Sequence, residues 1–222
     1  MSILQNLTEI RRNIPGNVQL VCVSKFHPES AIREAYACGE RIFGESRVQE
    51  LTAKQAQLMS DIHWHFIGHL QSNKIKYIVP FVSLIHGVDS FKLLKEINNQ
   101  AYKAGRVVPC LLQIHIAQEE TKFGFSVEEI HEMLNNFEFP TFKNIEIRGL
   151  MGMATLTENK SQIRDEFRSL KHLFEELKKD YFTGDDCFSE LSMGMSDDYK
   201  IAIEEGSTMV RIGSLIFGTR EY

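Results

Sequence analysis

One pattern constrains the fold of this chain most strongly: short apolar segments alternate with amphipathic segments along its 222 residues. Each apolar segment is rich in β-branched and aliphatic residues, which is typical of a strand buried on both faces. The amphipathic segments carry helix signals, such as Ser126 followed by Glu129 at a helix start and Gly105 at a helix end. The predicted strands are 18–25, 41–44, 62–68, 82–88, 107–116, 144–151, 188–192 and 209–213.

This alternation predicts an α/β protein with a parallel sheet, because parallel strands need a long crossover, usually a helix. Eight such repeats favour closure into a (β/α)8 TIM-like barrel. The competing fold is an open doubly wound sheet, but no G-x-G-x-x-G motif follows the first strand to support a dinucleotide crevice. No linker or low-complexity segment interrupts the chain, so we expect residues 1–222 to form a single domain.

The composition narrows the classes of function. The 25 Lys and Arg residues against 30 Asp and Glu give a net charge of −5, which does not favour a nucleic-acid partner. No apolar run reaches the roughly 18 residues of a transmembrane helix, and the first residues lack the pattern of a signal peptide. The four cysteines are scattered and form no C-x-x-C pair. We therefore expect reduced thiols and a cytoplasmic protein with no membrane partner.

Lys25 is the most unusual residue of the first strand region, V-Q-L-V-C-V-S-K-F-H-P at 18–28. Lysine is almost never fully buried unless it has a partner or a chemical role. A desolvated amine has a lowered pKa and can form a Schiff base with an aldehyde. The alternative is a lysine that has simply left the sheet and lies in water. The strand alone leaves this choice open.

Glycines and serines follow the seventh and eighth predicted strands, in the segments 192–196 and 213–214. In a barrel these two loops form the usual phosphate site, and glycines let backbone N–H groups approach an anion. Each feature alone is also ordinary turn chemistry, but at these two strands together they favour a phosphate. A phosphate near a strand-end lysine predicts pyridoxal 5′-phosphate (PLP), or a sugar phosphate in a Schiff-base aldolase.

Two further patterns have competing interpretations. His63, His65 and His69 have the spacing of metal ligands, but no carboxylate or cysteine completes the set nearby, and we expect no metal. Four methionines lie on two different strands, which favours an apolar lining beneath a ring over a copper site. They are Met151, Met153, Met193 and Met195.

Five blocks of sequence are distributed over nearly the whole chain: V-S-K-F-H-P at 23–28, F-G-E-S-R-V-Q-E at 43–50, W-H-F-I-G-H-L-Q-S-N-K at 64–74, S-M-G-M-S-D-D at 192–198 and V-R-I-G-S-L-I-F-G at 210–218. In content and order they resemble the pyridoxal phosphate homeostasis protein family. This resemblance implies a PLP-binding barrel like the N-terminal domain of alanine racemase. It agrees with the barrel inferred from the strand count.

The resemblance also implies roles for individual residues. Lys25 is expected to form the Schiff base with PLP, and Arg211 to lie close to the cofactor. Ser192, Gly213 and Ser214 are expected to hold its phosphate. Met153 and Met193 are the methionines expected to line the site.

Two positions depart from the family pattern, and one adds a second candidate site. The family motif usually reads F-G-E-N, so Ser46 replaces an asparagine expected near the cofactor, with a shorter side chain. Arg47 stands where a tyrosine is common. Lys122, in T-K-F-G, matches a family lysine thought to be a secondary PLP-handling site; the alternative is a solvated loop lysine.

The sequence favours a binding protein over an enzyme. A PLP racemase needs two acid/base groups, one on each face of the cofactor. In the alanine racemase pattern the second comes from an additional β domain and a partner subunit, and this sequence ends nine residues after Gly213. We therefore expect a monomeric carrier or regulator that maintains the PLP supply, without turnover, and that can pass PLP to apo enzymes. A racemase-like enzyme and a sugar-phosphate aldolase are the alternatives.

Overall fold

The predicted barrel is confirmed by the computed structural model, which describes residues 2–118 and 123–218. Neighbouring strands are parallel throughout, and their order around the closed barrel follows the order of the chain. The open doubly wound sheet is therefore excluded. The strands are β1 (Gln19–Val23), β2 (Ile42–Glu45), β3 (His63–Phe66), β4 (Leu84–Val88), β5 (Val108–Gln113), β6 (Ile145–Met151), β7 (Glu190–Ser192) and β8 (Met209–Ile212).

One helix precedes the first strand, and a helix follows each of the eight strands in the part of the chain that the structure describes. They are α1 (Ile3–Asn13), α2 (Glu29–Ala37), α3 (Val48–Gln57), α4 (Ile75–Ile78), α5 (Phe91–Lys103), α6 (Val127–Leu134), α7 (Lys160–Asp180), α8 (Tyr199–Glu204) and α9 (Ser214–Phe217), with 3₁₀ turns at Ser72–Lys74 and Phe139–Thr141. The predicted capping box is present: the Ser126 hydroxyl accepts the N–H of Glu129, whose carboxylate accepts the N–H of Ser126. In the described residues, no helix has both the length and the apolar character needed to cross a membrane.

The apolar core has two layers. A large outer layer lies between the barrel and the helices and includes Trp64, Phe66 and Phe167. A small inner layer fills the barrel itself. Its buried members are Val21, Leu84, Leu111, Met151 and Met209. Successive side chains of a strand point to opposite faces of the sheet. A strand residue whose two sequence neighbours belong to the outer layer therefore points into the barrel.

Most strands, β1 among them, are shorter than the apolar segments that predict them, and the end of β1 determines where Lys25 lies. β1 ends at Val23, two residues before Lys25. The Ser24 N–H still donates to the Gly44 carbonyl at 3.1 Å, and the chain then turns at Phe26, whose φ is 67°. Lys25 thus lies in the loop beyond the strand, at the carboxyl-end face of the barrel.

Candidate functional site

Lys25 lies close to the ends of β8 because β1 and β8 are paired. Cys22 is the register partner of Ile212. Gly213 packs against the same strand: a Cβ on Gly213 would come within 3.0 Å of the Val23 carbonyl oxygen. Lys25 itself is half-buried. The structure therefore brings the candidate lysine and the start of α9 to the same side of the barrel mouth.

The loops after β7 and β8 bring hydroxyl and N–H groups close together. The N–H of Gly213 donates to the Ser196 hydroxyl at 3.3 Å. Gly194, with φ of 94°, is packed so tightly that a Cβ there would lie 2.6 Å from the Cβ of Ala202. Ser214, the first residue of α9, is exposed. Ser196 was not among the predicted site residues, although it stands in the same S-M-G-M-S segment.

Arg211 is buried in the barrel interior and is held by three hydrogen bonds. Its Nη1 donates to the Ser192 carbonyl at 2.8 Å and to the Ser192 hydroxyl at 2.6 Å, and its Nη2 donates to the Gly152 carbonyl at 3.0 Å. Burial lowers the pKa of Arg211 to about 10, against the opposing effect of Asp198. The guanidinium therefore remains a fixed cation at neutral pH, at the level where β6, β7 and β8 end.

Two buried histidines extend this arrangement across the barrel. Nδ1 of His86 lies 3.0 Å from the Ser192 hydroxyl, and Nε2 of His86 lies 3.0 Å from Nδ1 of His65. Burial lowers the pKa of His65 to about 3, and burial followed by the charges of His65 and Arg211 lowers that of His86 well below its usual value. Both imidazoles are therefore neutral at pH 7. The result is a hydrogen-bonded chain of four buried side chains that ends on Arg211.

The phosphate contact predicted for Ser192 stays a prediction, and the structure gives its hydroxyl two other partners. Its side chain is fully buried, and its hydroxyl is engaged by Arg211 and His86 rather than directed to the loop after β8. The role that the geometry gives it is to position Arg211. The hydroxyl that meets Gly213 belongs instead to Ser196.

The two predicted methionines face opposite sides of the sheet. Met153 is half-buried and packs against the inner layer of the barrel, as a lining residue should. Met193 is fully buried in the outer layer, and its N–H donates to the Met209 carbonyl at 3.2 Å. Its side chain therefore belongs to the packing between sheet and helices and does not line the mouth.

Ser46 lies directly after β2 and is half-buried, at the same end of the barrel as Lys25. Its main chain is in close contact with the loop after β3, because a Cβ on Gly68 would come within 2.3 Å of the Ser46 carbonyl oxygen. Arg47, the other departure from the family pattern, places its guanidinium 4.6 Å from the centre of the Phe26 ring. Lys122 lies outside the described residues.

The histidine spacing that suggested a metal is used differently. His65 pairs with His86, while His63 is exposed. His69 places Nδ1 2.9 Å from a carboxylate oxygen of Asp89 and stacks on Phe123, with ring centres 4.2 Å apart. Within 2–118 and 123–218 there is no group of three or more metal-type ligands. The His69–Asp89 pair, at the ends of β3 and β4, is a feature that the sequence pattern did not reveal.

Comparison with known proteins places the chain in a family. The family model described as alanine racemase, N-terminal domain, matches residues 1–221. A pyridoxal phosphate homeostasis protein from Aquifex aeolicus (strain VF5) is 42% identical over 206 residues, which is 92% of this chain and 88% of that protein.

Solved structures agree with that placement. PipY of Synechococcus elongatus PCC7942, solved without PLP and with PLP bound, is 38% and 37% identical, with TM-scores of 0.92 and 0.88 over 98% of this chain and 100% of PipY. An alanine racemase from Clostridium difficile 630 shares the fold alone, with 15% identity and a TM-score of 0.77 over all of this chain and 60% of that one. This chain therefore belongs to the pyridoxal phosphate homeostasis proteins, within the family of the alanine racemase N-terminal domain.

Proposed function

We propose that this protein binds PLP as a Schiff base on Lys25 and serves as a carrier or regulator of the PLP supply. The observation that carries the proposal is the convergence of Lys25 with Gly213 and Ser214 at one side of the barrel mouth, with Arg211 buried two residues before Gly213 on β8. The PLP-bound structure of the relative PipY supports the choice of cofactor.

The residues at this mouth fit the chemical groups of PLP. Lys25 would hold PLP covalently through its amine, which would condense with the aldehyde that PLP supplies and release one water. The hydroxyls of Ser214 and Ser196 would supply donors for a phosphate, and the Gly213 N–H, which here donates to Ser196, would join them on exchanging that acceptor for a phosphate oxygen. Arg211 would supply a buried cation close to the cofactor, held in place by Ser192. We therefore propose Ser196 as a further residue that binds the phosphate.

We infer that the protein releases PLP again rather than turning over a substrate. Its relatives are named as homeostasis proteins. On this proposal it is a cytoplasmic monomer that limits the free aldehyde and passes PLP to apo enzymes. Ser46 is proposed to lie beside the cofactor, and Lys122 to be a secondary handling site.

One observation favours an amino-acid racemase-like activity as the second candidate. The imidazole of His69 is 46% exposed and oriented by Asp89, which is the arrangement of a general base with its orienting carboxylate. Proton exchange at Cα distinguishes the two candidates. We expect the PLP-loaded protein to incorporate no deuterium from D2O into alanine, as followed by NMR, above the level of Lys25→Ala. Exchange above that level would favour the racemase-like reading.

The binding proposal is tested by visible absorption spectra recorded during titration with PLP. After unbound PLP is removed by gel filtration, the parent and the exposed-lysine control Lys92→Ala are expected to keep a yellow band, and Lys25→Ala is expected to lose it. A parent that stays colourless would contradict PLP binding and direct attention to sugar phosphates. Parent protein loaded with PLP should then restore activity to an apo PLP-dependent enzyme; failure to do so would contradict the carrier role.

A further inference from the structure

A buried ionic cluster contacts the residues that precede and follow Lys25 in the chain. Lys54 of α3 is 6% exposed, and its Nζ donates three hydrogen bonds. The acceptors are the Ser24 carbonyl at 2.8 Å, Oε1 of Glu45 at 2.8 Å and Oε1 of Glu50 at 2.7 Å. The Glu45 side chain is fully buried and that of Glu50 is 20% exposed. Two carboxylates thus share one ammonium group.

This cluster is a poor device for stability alone. Taking ions out of water is costly, and a buried pair is often no better than an apolar replacement of the same shape. The second oxygen of Glu45, Oε2, is also the one buried side-chain polar atom without a hydrogen-bond partner among residues 2–118 and 123–218. Burial raises the pKa of Glu45, and Lys54 opposes that effect. An arrangement with these costs calls for a function other than packing.

The cluster holds the main chain on both sides of Lys25. On the preceding side, Lys54 binds the Ser24 carbonyl, and the Ser24 hydroxyl donates to Glu45 Oε1 at 2.6 Å. On the following side, the N–H of Phe26 donates to Glu50 Oε1 at 2.6 Å. The same Glu50 oxygen accepts a hydrogen bond from Lys54, so one atom connects the contacts on the two sides of Lys25.

The turn that these contacts hold is strained. Phe26 has a φ of 67°, and it is the only residue other than glycine with a positive φ in the described chain. A bulky side chain disfavours this left-handed conformation, which persists only where the surroundings impose it. The His27 N–H donates to the Ser24 carbonyl at 3.1 Å and closes the turn. The hydrogen bonds from the Phe26 N–H to Glu50 and from Lys54 to the same Ser24 carbonyl fix this turn against the cluster.

We propose that Glu50 and Lys54 are positioning residues for Lys25: they fix the strained Ser24–Phe26 turn and so present the Lys25 amine to the cofactor. The inference rests on the proposed function of Lys25. Without these hydrogen bonds, Phe26 relaxes to a backbone conformation with negative φ in part of the molecules. Only the remaining fraction keeps the geometry that binds the cofactor. Apparent affinity falls by that fraction, for which we expect about tenfold.

The experiment measures the PLP dissociation constant by absorption for variants on one helix. Glu50→Ala removes the acceptor for the Phe26 N–H, and we expect it to weaken binding about tenfold. Glu50→Gln keeps an oxygen in that place and should bind closer to the parent. The matched control is Gln49→Ala, the exposed neighbour on α3, which should bind as the parent does. Melting temperatures without PLP are recorded for all variants.

Two changes at Phe26 separate positioning from general structural damage. Phe26→Val leaves the cluster intact but disfavours the left-handed turn, so it should also weaken binding. Phe26→Gly adopts that turn without strain, so it should restore much of the affinity lost in Glu50→Ala. A substitution that merely damaged α3 would not be rescued at position 26, so rescue supports the positioning role.

The failures of the two proposals are distinguishable. If Glu50→Ala and Phe26→Val bind PLP as tightly as the parent while Lys25→Ala does not bind, the positioning role is wrong and the function of Lys25 stands. If Glu50→Ala is not rescued by Phe26→Gly, the positioning role is also wrong. If the parent itself forms no yellow band, the proposed function fails, and this inference fails with it.

Discussion

The residues that define the candidate site are held by side chains that never reach the barrel mouth. Arg211 is fixed by Ser192, and Ser192 is in turn in contact with His86. Low dielectric strengthens such a chain and also makes any unpaired member costly, so a fully satisfied chain specifies one arrangement. The buried cation of Arg211 is therefore positioned from inside the barrel.

The neutral histidines make stability depend on pH. The folded pKa of His65 is about 3, against an ordinary value of 6.5, so the unfolded state binds more protons as the pH falls below 6.5. Stability contributed by the neutral form is complete above 6.5 and is lost toward pH 3. At pH 5 the loss is about 2 kcal/mol for this residue, and His86 adds to it in the same direction.

Urea unfolding at pH 7 and pH 5 checks this prediction. His65→Gln keeps a hydrogen-bonding side chain but removes the titration, so its loss between pH 7 and pH 5 should be about 2 kcal/mol smaller than that of the parent. The exposed His172→Gln is the control and should retain the parent's full loss. Equal losses in the parent and His65→Gln would contradict a neutral His65 in the folded state. The raised pKa of Glu45 acts in the opposite direction but cancels between the variants.

Among the described strands, β7 is the shortest, and it packs very closely against β6. It has three residues, and it is aligned with β6 through the pairing of Gly149 with Glu190. Gly149 has a φ of 144°, and a Cβ there would lie 1.8 Å from the Glu190 carbonyl oxygen. Only glycine fits both the conformation and the close approach. The register that delivers Ser192 to the barrel interior therefore depends on this glycine.

Gly149→Ala is expected to unfold the protein or to reduce its free energy of unfolding by more than about 4 kcal/mol. The added Cβ would clash with the main chain of Glu190, so the backbones of β6 and β7 would have to move apart. Gly16→Ala is the control: its Cβ would meet nothing within 4 Å, and its φ lies outside the left-handed region. It should change stability by less than about 0.5 kcal/mol. Denaturant unfolding measures both. A Gly149→Ala protein as stable as the parent would show that β6 and β7 are not packed as described.

For the whole molecule, the sequence predicted the barrel because strand and helix periodicities alternate cleanly, and the closed strand order confirms it. It also predicted the end of the barrel at which Lys25, Gly213 and Ser214 meet. Those predictions need only the order of the elements, since every parallel strand delivers its carboxyl end to the same face.

The direction in which a side chain points, or a partner distant in sequence, is harder to predict from the sequence pattern. Ser192 and Met193 are adjacent, so the alternation along a strand already forbids both from lining one pocket. The pairing of His65 with His86 depends on the neighbouring positions of β3 and β4, which no local pattern encodes. The contact of Glu45 with Lys54, nine residues away, matches neither the strand nor the helix period.

The measurement that tests the central claim most directly is borohydride reduction of the PLP-loaded protein, followed by mass spectrometry of its peptides. Reduction turns the C=N bond into a stable link, so the modified residue can be read from the peptide that carries the added mass. We predict one modification per chain, on Lys25, and none on the peptide containing Lys54. A parent protein modified mainly at Lys122, or evenly over its exposed lysines, would contradict the assignment of Lys25 as the residue that binds PLP.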